Sequence, residues 1–252
     1  MFILLTFFLL YQMNSEDITQ NSHSNIKAAI FDLDGTLIDT QNFYDEANQM
    51  IINKYGNGKP YDTDLKLKLH GTSPAFGNRF IIKHFEINLT FEKFMEMKDN
   101  YLKERLHYCK AMEGAKELTN NLKHKYGLKM AIATSSFKNA AESKLSIHKE
   151  WIDNDFDIMI TGEDKRIKSG KPSPDIFILS AKSLGMNPEE CIVFEDAVTG
   201  VKAGLESGAK FVIGLPADEI TKKAMESLPY DKKRTSLIIL NSLKDFDYSL
   251  IE

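Results

Sequence analysis

Short apolar segments alternate with longer segments of helical periodicity along most of the chain, and this alternation constrains the fold more than any other feature. A short run without polar residues is typical of a strand buried on both faces, as in a parallel sheet covered by helices. One helical pattern opens with a serine and a proline at 173–174 and stops at Gly185. The sequence therefore predicts an α/β fold with a Rossmann-like parallel sheet core. The six predicted strands are 26–31, 129–134, 157–160, 191–194, 210–213 and 236–240.

The interval between the first and second predicted strands is far longer than the single helix that a crossover connection needs. Apolar residues recur within it at helical spacing, from Phe43 to Tyr55 and again from Phe91 to Leu102. We therefore expect residues 41–108 to form a small helical domain, inserted into an α/β core made of residues 26–40 and 109–252. Asp39 is expected to cap the first inserted helix.

The charge balance argues against a nucleic-acid partner. The chain has 32 Lys and Arg against 36 Asp and Glu, a net charge of −4, and its longest basic run is the triplet at 232–234. Hydrophobic residues make up 42% of the chain, enough to bury a core, so disorder is excluded as the dominant state. Cys109 and Cys191 match neither a metal-binding spacing nor a disulfide framework. A reducing compartment, the cytoplasm, is the expected location.

The first eleven residues are apolar except for Thr6, and a polar stretch follows them. Eleven residues are too few to span a bilayer. A secretory signal would normally carry basic residues before the apolar run and a small-residue cleavage site after it, and neither is evident. Residues 1–25 are therefore interpreted as a hydrophobic segment and a polar linker outside the fold. Membrane contact is not expected, except through residues 1–11 acting as a signal or an anchor.

The loop after the first predicted strand carries Asp32, Asp34 and Gly35. In an open parallel sheet the loops that leave the carboxyl ends of the strands converge on one crevice. The two carboxylates are two positions apart, and the glycine lets the backbone turn sharply, so both can approach one divalent cation. Alone this pattern is a weak signal, because turns are rich in the same residues.

Three further loops carry complementary groups. Thr134 and Ser135 follow the second strand, at the start of a helix where backbone N–H groups can hold an anion. Lys171 precedes the helix that opens near 173, and the acidic pair Glu195 and Asp196 follows the fourth strand. Each piece could be a helix cap or a solvated loop residue. Together they make a complete site for a phosphate and a magnesium ion.

This combination and order of motifs resembles the haloacid dehalogenase superfamily of phosphotransferases, from about residue 27 to the end of the chain. The insertion after the first motif is similar to the helical cap of that superfamily. Within it, five stretches look most like the pseudouridine-5′-phosphatase group. They are 133–136, 148–150, 170–177, 193–197 and 240–246. The resemblance implies a phosphatase that acts on a small phosphorylated metabolite, a sugar or nucleoside monophosphate, with pseudouridine 5′-phosphate as the best guess.

The resemblance also implies roles for individual residues. Asp32 stands at the position of the nucleophile, which would form an aspartyl-phosphate, and Asp34 at that of the general acid/base. Thr134 and the Ser135 amide would bind phosphoryl oxygens. Lys171 would offset negative charge between Asp32 and the phosphate.

The same resemblance implies magnesium as the cofactor. An oxygen of Asp32, the backbone carbonyl of Asp34 and the carboxylate of Asp196 would hold it. Glu195 would lie beside them or act through water. Magnesium prefers oxygen ligands and retains several waters, which suits a site with few protein carboxylates.

Several alternatives stay open from the sequence. A glycerol-3-phosphate or 2-deoxyhexose-6-phosphate phosphatase would differ only in the cap. A β-phosphoglucomutase-like mutase usually carries a cap histidine and a cap arginine, where this chain has Tyr44 and Pro74. A non-catalytic binding module would have no need of both Asp32 and Asp34. The sequence leaves the oligomeric state undetermined.

Overall fold

The computed structural model describes residues 25–69 and 74–252. The apolar residues 1–11 of the predicted signal or anchor lie outside the described residues. Residues Ile26–Phe246 form one compact unit. The last residues, Asp247–Glu252, contain a single 3₁₀ turn, Tyr248–Leu250. No helix in the described part of the chain combines the length and the hydropathy that a membrane span requires.

Six parallel strands form the main sheet, which confirms the α/β class. Each predicted strand is present, with ends shifted by at most two residues. The strands of the structure are β1 (Ala28–Phe31), β2 (Ile38–Asp39), β3 (Lys110–Ala111), β4 (Lys129–Thr134), β5 (Ile158–Thr161), β6 (Cys191–Glu195), β7 (Phe211–Gly214) and β8 (Ser236–Ile239). The strand order of the main sheet is β5-β4-β1-β6-β7-β8, so β1 lies in the interior with β4 on one side and β6 on the other.

The strands are buried because helices pack on them. The α-helices are α1 (Gln41–Tyr55), α2 (Thr63–Leu69), α3 (Pro74–His84), α4 (Phe91–Lys103), α5 (Ala115–Asn120), α6 (Lys138–Leu145), α7 (Lys149–Asp155), α8 (Asp175–Ser183), α9 (Val198–Ser207) and α10 (Glu219–Glu226). Phe177 of α8 and Val201 of α9 belong to one buried cluster with Ile30 and Val193 of the sheet. The rings of Phe31 and Phe194 stack at 4.2 Å, which fixes the ends of β1 and β6 beside each other.

Helices α1 to α4 occupy the interval predicted to be an insertion, and they have a hydrophobic core of their own. Ile51 of α1, Phe85 after α3 and Phe94 of α4 are buried in one cluster. A separate core is what an inserted cap needs in order to keep its shape. The boundaries 41–108 stay a prediction.

A small antiparallel pair, β2 with β3, was not predicted. Ile38 pairs with Ala111 and Asp39 with Lys110 at the two ends of the inserted segment. Strands of two residues show no periodicity, so the sequence pattern could not reveal them. The expectation that Asp39 caps the first helix is wrong, because Asp39 lies in β2 and Thr40 occupies the N-cap position of α1.

Lys98 of α4 is a buried charged residue within these helices, with 7% of its surface exposed. Its Nζ donates to Asn78 Oδ1 at 2.9 Å and lies 5.5 Å from the centre of the Tyr44 ring. Burial lowers the pKa of Lys98 to about 8, and attraction to Asp99 and Asp45 offsets only part of that effect. The folded state therefore disfavours the charged form of this lysine.

We predict that Lys98 makes the stability of the protein depend on pH in the alkaline range. Because its pKa is lower in the folded state, the unfolded chain binds more protons between about pH 8 and 10.5, and stability rises with pH there. The free energy of unfolding of the wild type, minus that of Lys98→Met, is expected to increase by about 2 kcal/mol across this window. Denaturant unfolding at several pH values measures it. Lys103→Met, an exposed lysine of the same helix, is the control. A difference that stays constant with pH would contradict the prediction.

Candidate active site

Lys171 joins the carboxyl ends of three strands. Asp32 directly continues β1, and its N–H donates to the Phe194 carbonyl of β6 at 3.0 Å. The Lys171 ammonium donates to Oδ1 of Asp32, to Oε1 of Glu195 at 2.6 Å, and to the Ala133 carbonyl of β4 at 3.1 Å. The side chains of Lys171, Asp32 and Glu195 are all buried. A cation is therefore held between two carboxylates at the edge where β1, β4 and β6 end.

Negative charge exceeds positive charge in this cluster. Burial raises the pKa of Asp32 to about 7; Lys171 opposes this, and repulsion from Glu195 and Asp34 adds to it. Burial, together with repulsion from Glu195 and Asp32, raises the pKa of Asp196 well above its usual range. Burial alone would lower the pKa of Lys171, but its two carboxylate partners raise it above the ordinary value. A further positive charge beside Asp32 and Asp196 would therefore be favourable.

The donor set suits a hard divalent cation such as magnesium. It consists of carboxylate oxygens and backbone carbonyls. Within residues 25–69 and 74–252, no three His, Cys, Asp or Glu side chains are already grouped as metal ligands. Magnesium takes few protein carboxylates and keeps its own waters, so Asp32, Asp196 and the Asp34 carbonyl would be enough. Both oxygens of Glu195 are already hydrogen-bonded, one to Lys171 and one to the Ala197 N–H at 2.9 Å.

Gly35 brings the loop after β1 against Asp196. Its φ is +78°, and a Cβ placed on it would lie 2.0 Å from Asp196 Oδ2. The hydroxyl of the following residue, Thr36, lies 3.5 Å from Asp196 Oδ1. The glycine is therefore required both for its backbone conformation and for the close approach of the two acidic loops.

The loop after β4 presents hydroxyl and N–H groups on the other side of the cluster. Oγ1 of Thr134 accepts the N–H of Ser136 at 3.0 Å, so the Thr134 hydroxyl can still donate its own proton. Ser135 is exposed. Gly162, after β5, packs behind this loop, where a Cβ would lie 2.4 Å from the Ser135 carbonyl oxygen. These groups can hold an anion.

A second lysine, Lys144 of α6, holds Asp34 and was not predicted from the sequence. Its side chain is completely buried. Nζ donates to Asp34 Oδ1 and, at 2.8 Å, to Ser136 Oγ, while Ser136 donates to Asp34 Oδ2 at 2.8 Å. Burial alone would raise the pKa of Asp34, but Lys144 and hydrogen bonds from Ser136 and Thr40 lower it below its usual value.

One sequence signal could have revealed Lys144. Ala141, Lys144 and Leu145 are three and four positions apart, so they share one face of α6, and all three are buried. A lysine on the apolar face of a helix needs a buried partner. The sequence does not say which partner, because Asp34 lies 110 positions away.

Residues 26–208 match the family model of haloacid dehalogenase-like hydrolases. The chain belongs to the haloacid dehalogenase-like hydrolases. It is therefore an enzyme. The loop that carries Asp32 lies near the start of the matched region.

Individual relatives support the assignment. A Saccharomyces cerevisiae protein described as a probable pseudouridine-5′-phosphatase is 36% identical over 77% of this chain and 84% of its own length. An Arabidopsis thaliana (DL)-glycerol-3-phosphatase is 30% identical over 81% of this chain and 69% of its own. The crystal structure of a haloacid dehalogenase hydrolase from Entamoeba histolytica covers 90% of this hydrolase and 98% of its own chain, with a TM-score of 0.70 and 26% identity.

The hydrolase fold brings the predicted site residues to one edge of the sheet. Direct hydrogen bonds join Asp32, Lys171 and Glu195. Asp196 lies against the Asp34–Gly35 turn. The remaining two, Thr134 and Ser135, precede the serine that bonds Asp34. Their proximity agrees with the topology, whereas their chemical roles stay predictions.

We predict that Gly35→Ala destabilises the hydrolase more than Gly58→Ala does. Both glycines have φ near +80°, but a Cβ at Gly58 would meet nothing within 4 Å. Gly58→Ala should cost about 1 kcal/mol of backbone strain. Gly35→Ala should cost at least about 2 kcal/mol, because Asp196 must also move. Denaturant unfolding of both variants gives the comparison. Equal losses of unfolding free energy in the two variants would show that Asp196 can move away from the added Cβ without further cost.

Proposed function

We propose that the chain is a magnesium-dependent phosphatase that hydrolyses a small sugar or nucleoside phosphomonoester through an aspartyl-phosphate on Asp32. The observation that carries the proposal is the buried contact of Lys171 with Asp32 and Glu195 at the strand ends. The reaction class, hydrolysis of a phosphoric monoester, follows from the family and from relatives that are named as phosphatases. The substrate, the metal and the intermediate are the proposed part.

The first chemical step uses Asp32 and Asp34. A carboxylate oxygen of Asp32 attacks phosphorus, a new P–O bond forms, and the bond to the leaving oxygen breaks. Asp34 donates a proton to that oxygen, so the leaving group departs as a neutral alcohol. In the second step Asp34 takes a proton from water, the water oxygen forms a bond to the phosphorus of the aspartyl-phosphate, and the bond between phosphorus and the Asp32 oxygen breaks. Inorganic phosphate leaves, and both carboxyl groups return to their starting states.

The other site residues position the phosphoryl group. The Thr134 hydroxyl and the Ser135 amide would donate to its oxygens, in the manner expected of a loop that precedes a helix. Lys171 offsets the negative charge that builds up between Asp32 and the phosphate. Magnesium, held by Asp32, the Asp34 carbonyl and Asp196 with Glu195 beside them or acting through water, would supply further positive charge when bound.

The inserted helices would act as the cap. We propose that residues 41–108 cover the site during the reaction and select the leaving group, while the core carries out the chemistry. The best guess for the substrate is pseudouridine 5′-phosphate, because the relative of that description has the higher identity of the two. Glycerol 3-phosphate is the second candidate.

A cytoplasmic location is part of the same proposal. Cys109 and Cys191 are buried and unpaired. Burial raises the pKa of the Cys109 thiol to about 11 and that of the Cys191 thiol to about 12. Both therefore stay protonated, which favours two structural thiols in a reducing compartment.

We predict that magnesium-dependent phosphate release from pseudouridine 5′-phosphate exceeds release from every other tested compound. A chain starting at Met13 would be assayed with uridine 5′-phosphate, glycerol 3-phosphate, 2-deoxyglucose 6-phosphate and β-glucose 1-phosphate, with and without magnesium. Asp32→Asn should lower release at least about 1,000-fold, because the nucleophile is lost. Higher release from glycerol 3-phosphate would replace the first candidate with the second.

Two results would sink the proposal itself. One is full activity of Asp32→Asn in a folded protein, which would remove the nucleophile. The other is the absence of phosphate release from every tested phosphomonoester, together with conversion of β-glucose 1-phosphate into glucose 6-phosphate. That result would identify a mutase. Circular dichroism of Asp32→Asn checks that the variant is folded.

We also predict that Asp196→Asn raises the magnesium concentration needed for half-maximal activity by at least about tenfold. The variant replaces a charged carboxylate ligand with a neutral amide oxygen, a weaker ligand for magnesium, and removes the repulsion between Asp196 and Asp32. Asp164→Asn, an acidic residue paired with Arg166 and outside the cluster, is the control and should leave the requirement unchanged. An unchanged requirement in Asp196→Asn would exclude Asp196 as a ligand.

A further inference from the structure

We propose that Lys144 is a positioning residue for Asp34, which it holds, together with Ser136, in the orientation needed for proton transfer to the leaving group. The inference rests on the proposed function, because it requires Asp34 to act as the general acid/base. Lys144 itself would not touch the substrate.

A lysine at position 144 is costly for the folded protein. Lys144 is completely buried, and it lies on the face of α6 that also carries Ala141 and Leu145. An apolar residue here would fill the same space without the desolvation penalty of a buried ammonium. A charged residue is therefore expected to serve a purpose that packing alone does not explain.

The hydrogen bonds around Asp34 fix the orientation of its carboxyl group. Three hydrogen bonds form a closed ring among Lys144 Nζ, the Ser136 hydroxyl and the two oxygens of Asp34. Because each carboxylate oxygen has its own donor, the plane of the carboxyl group is fixed as well as its position. A single donor would leave the group free to rotate. Proton transfer depends on both distance and direction, so a fixed plane matters for an acid that must face one leaving oxygen.

Lys144 contacts one carboxylate of the site and spares the others. Among the residues that the structure describes, its ammonium donates to Asp34 and Ser136; it also interacts with the Tyr44 hydroxyl and lies 5.7 Å from the centre of the Tyr44 ring. Lys171 instead donates to Asp32 and Glu195. The two lysines therefore contact different carboxylates, and removal of Lys144 should act mainly through Asp34.

Tyr44 links this unit to the inserted helices. It stands in the first turn of α1, and it is half-buried over the Lys144 ammonium. Burial, with the nearby Asp34 charge, raises the pKa of Tyr44 to about 12, so the phenol stays neutral and does not compete with Asp34 for the lysine as an anion. The neutral hydroxyl interacts with Lys144, and the ring adds a cation–π contact on the side of Lys144 that faces the inserted helices.

The test is a double-mutant cycle read in the first turnover. The variants are Asp34→Asn, Lys144→Met and the two combined, each mixed rapidly with p-nitrophenyl phosphate and with an alkyl phosphate whose leaving group needs a proton. Lys144→Met should slow first-turnover release of the alcohol about 10- to 100-fold, while the burst of p-nitrophenol stays within about threefold of the wild type. The double variant should be no more than about twofold slower than Asp34→Asn.

Matched variants separate positioning from folding. Lys138→Met changes an exposed lysine of the same helix, which pairs with Glu142, and should leave both substrates unaffected. Ser136→Ala removes the donor to Oδ2 and the acceptor of one Lys144 bond but keeps the Lys144–Asp34 contact, so it tests the same ring if Lys144→Met does not fold. It should slow the alkyl substrate about 3- to 10-fold and spare the p-nitrophenol burst.

Three outcomes would overturn the inference. Equal slowing of both substrates would show a structural role. If the rate loss of the double variant equals the product of the rate losses of the two single variants, Lys144 acts independently of Asp34. If Asp34→Asn slows both substrates equally, Asp34 is not the acid that protonates the leaving group, and Lys144 has no such acid to position. Only the last of these also contradicts the proposed function.

Discussion

The site depends on one buried contact, that of the Lys171 ammonium with Asp32 and Glu195. Two carboxylates cannot stay ionised side by side in a buried position unless a cation lies between them. The parallel sheet makes this possible, because β1 and β6 are neighbours and end at the same edge. The contact in turn restricts the surrounding sequence. A Cβ on Gly200 of α9 would lie 1.8 Å from Glu195 Oε1, so the start of that helix must leave room for the carboxylate.

The pKa values of the two proposed catalytic carboxylates are shifted in opposite directions. The pKa of Asp32 is raised to about 7, whereas that of Asp34 is lowered by Lys144 and its other donors. A nucleophile must be ionised and a leaving-group acid must carry a proton, so each shift is opposite to its role in the first step. In the proposed mechanism, bound charges would act against both shifts. Positive charge beside Asp32 would lower its pKa, and a phosphoryl group beside Asp34 would raise the pKa of that carboxyl.

The fold was predictable from the sequence because strands such as β1, with all four residues buried, show as uninterrupted apolar runs. The position of the site followed from topology, since Asp32, Thr134 and Glu195 lie at or directly after strand ends. Other features gave no such signal. Strands β2 and β3 have two residues each, and the Lys144 contact joins positions 110 apart. The mistaken cap at Asp39 has the same origin, because pairing with Lys110 is a long-range contact that local capping preferences cannot report.

Separate cores would allow the proposed chemistry and the proposed choice of substrate to be divided between two parts of the chain. The loops that carry Asp32 and Glu195 follow strands of the cluster around Ile30 and Val193, whereas α1 to α4 pack around Ile51 and Phe94. A substitution inside the second cluster can reshape the inserted helices without disturbing the strand ends, because side chains in different clusters share few contacts. Tyr44 is an exception, since it lies on α1 and contacts Lys144. Changes at Tyr44 would therefore reach Asp34, whereas the proposed selection of the leaving group could vary through other positions of the inserted helices.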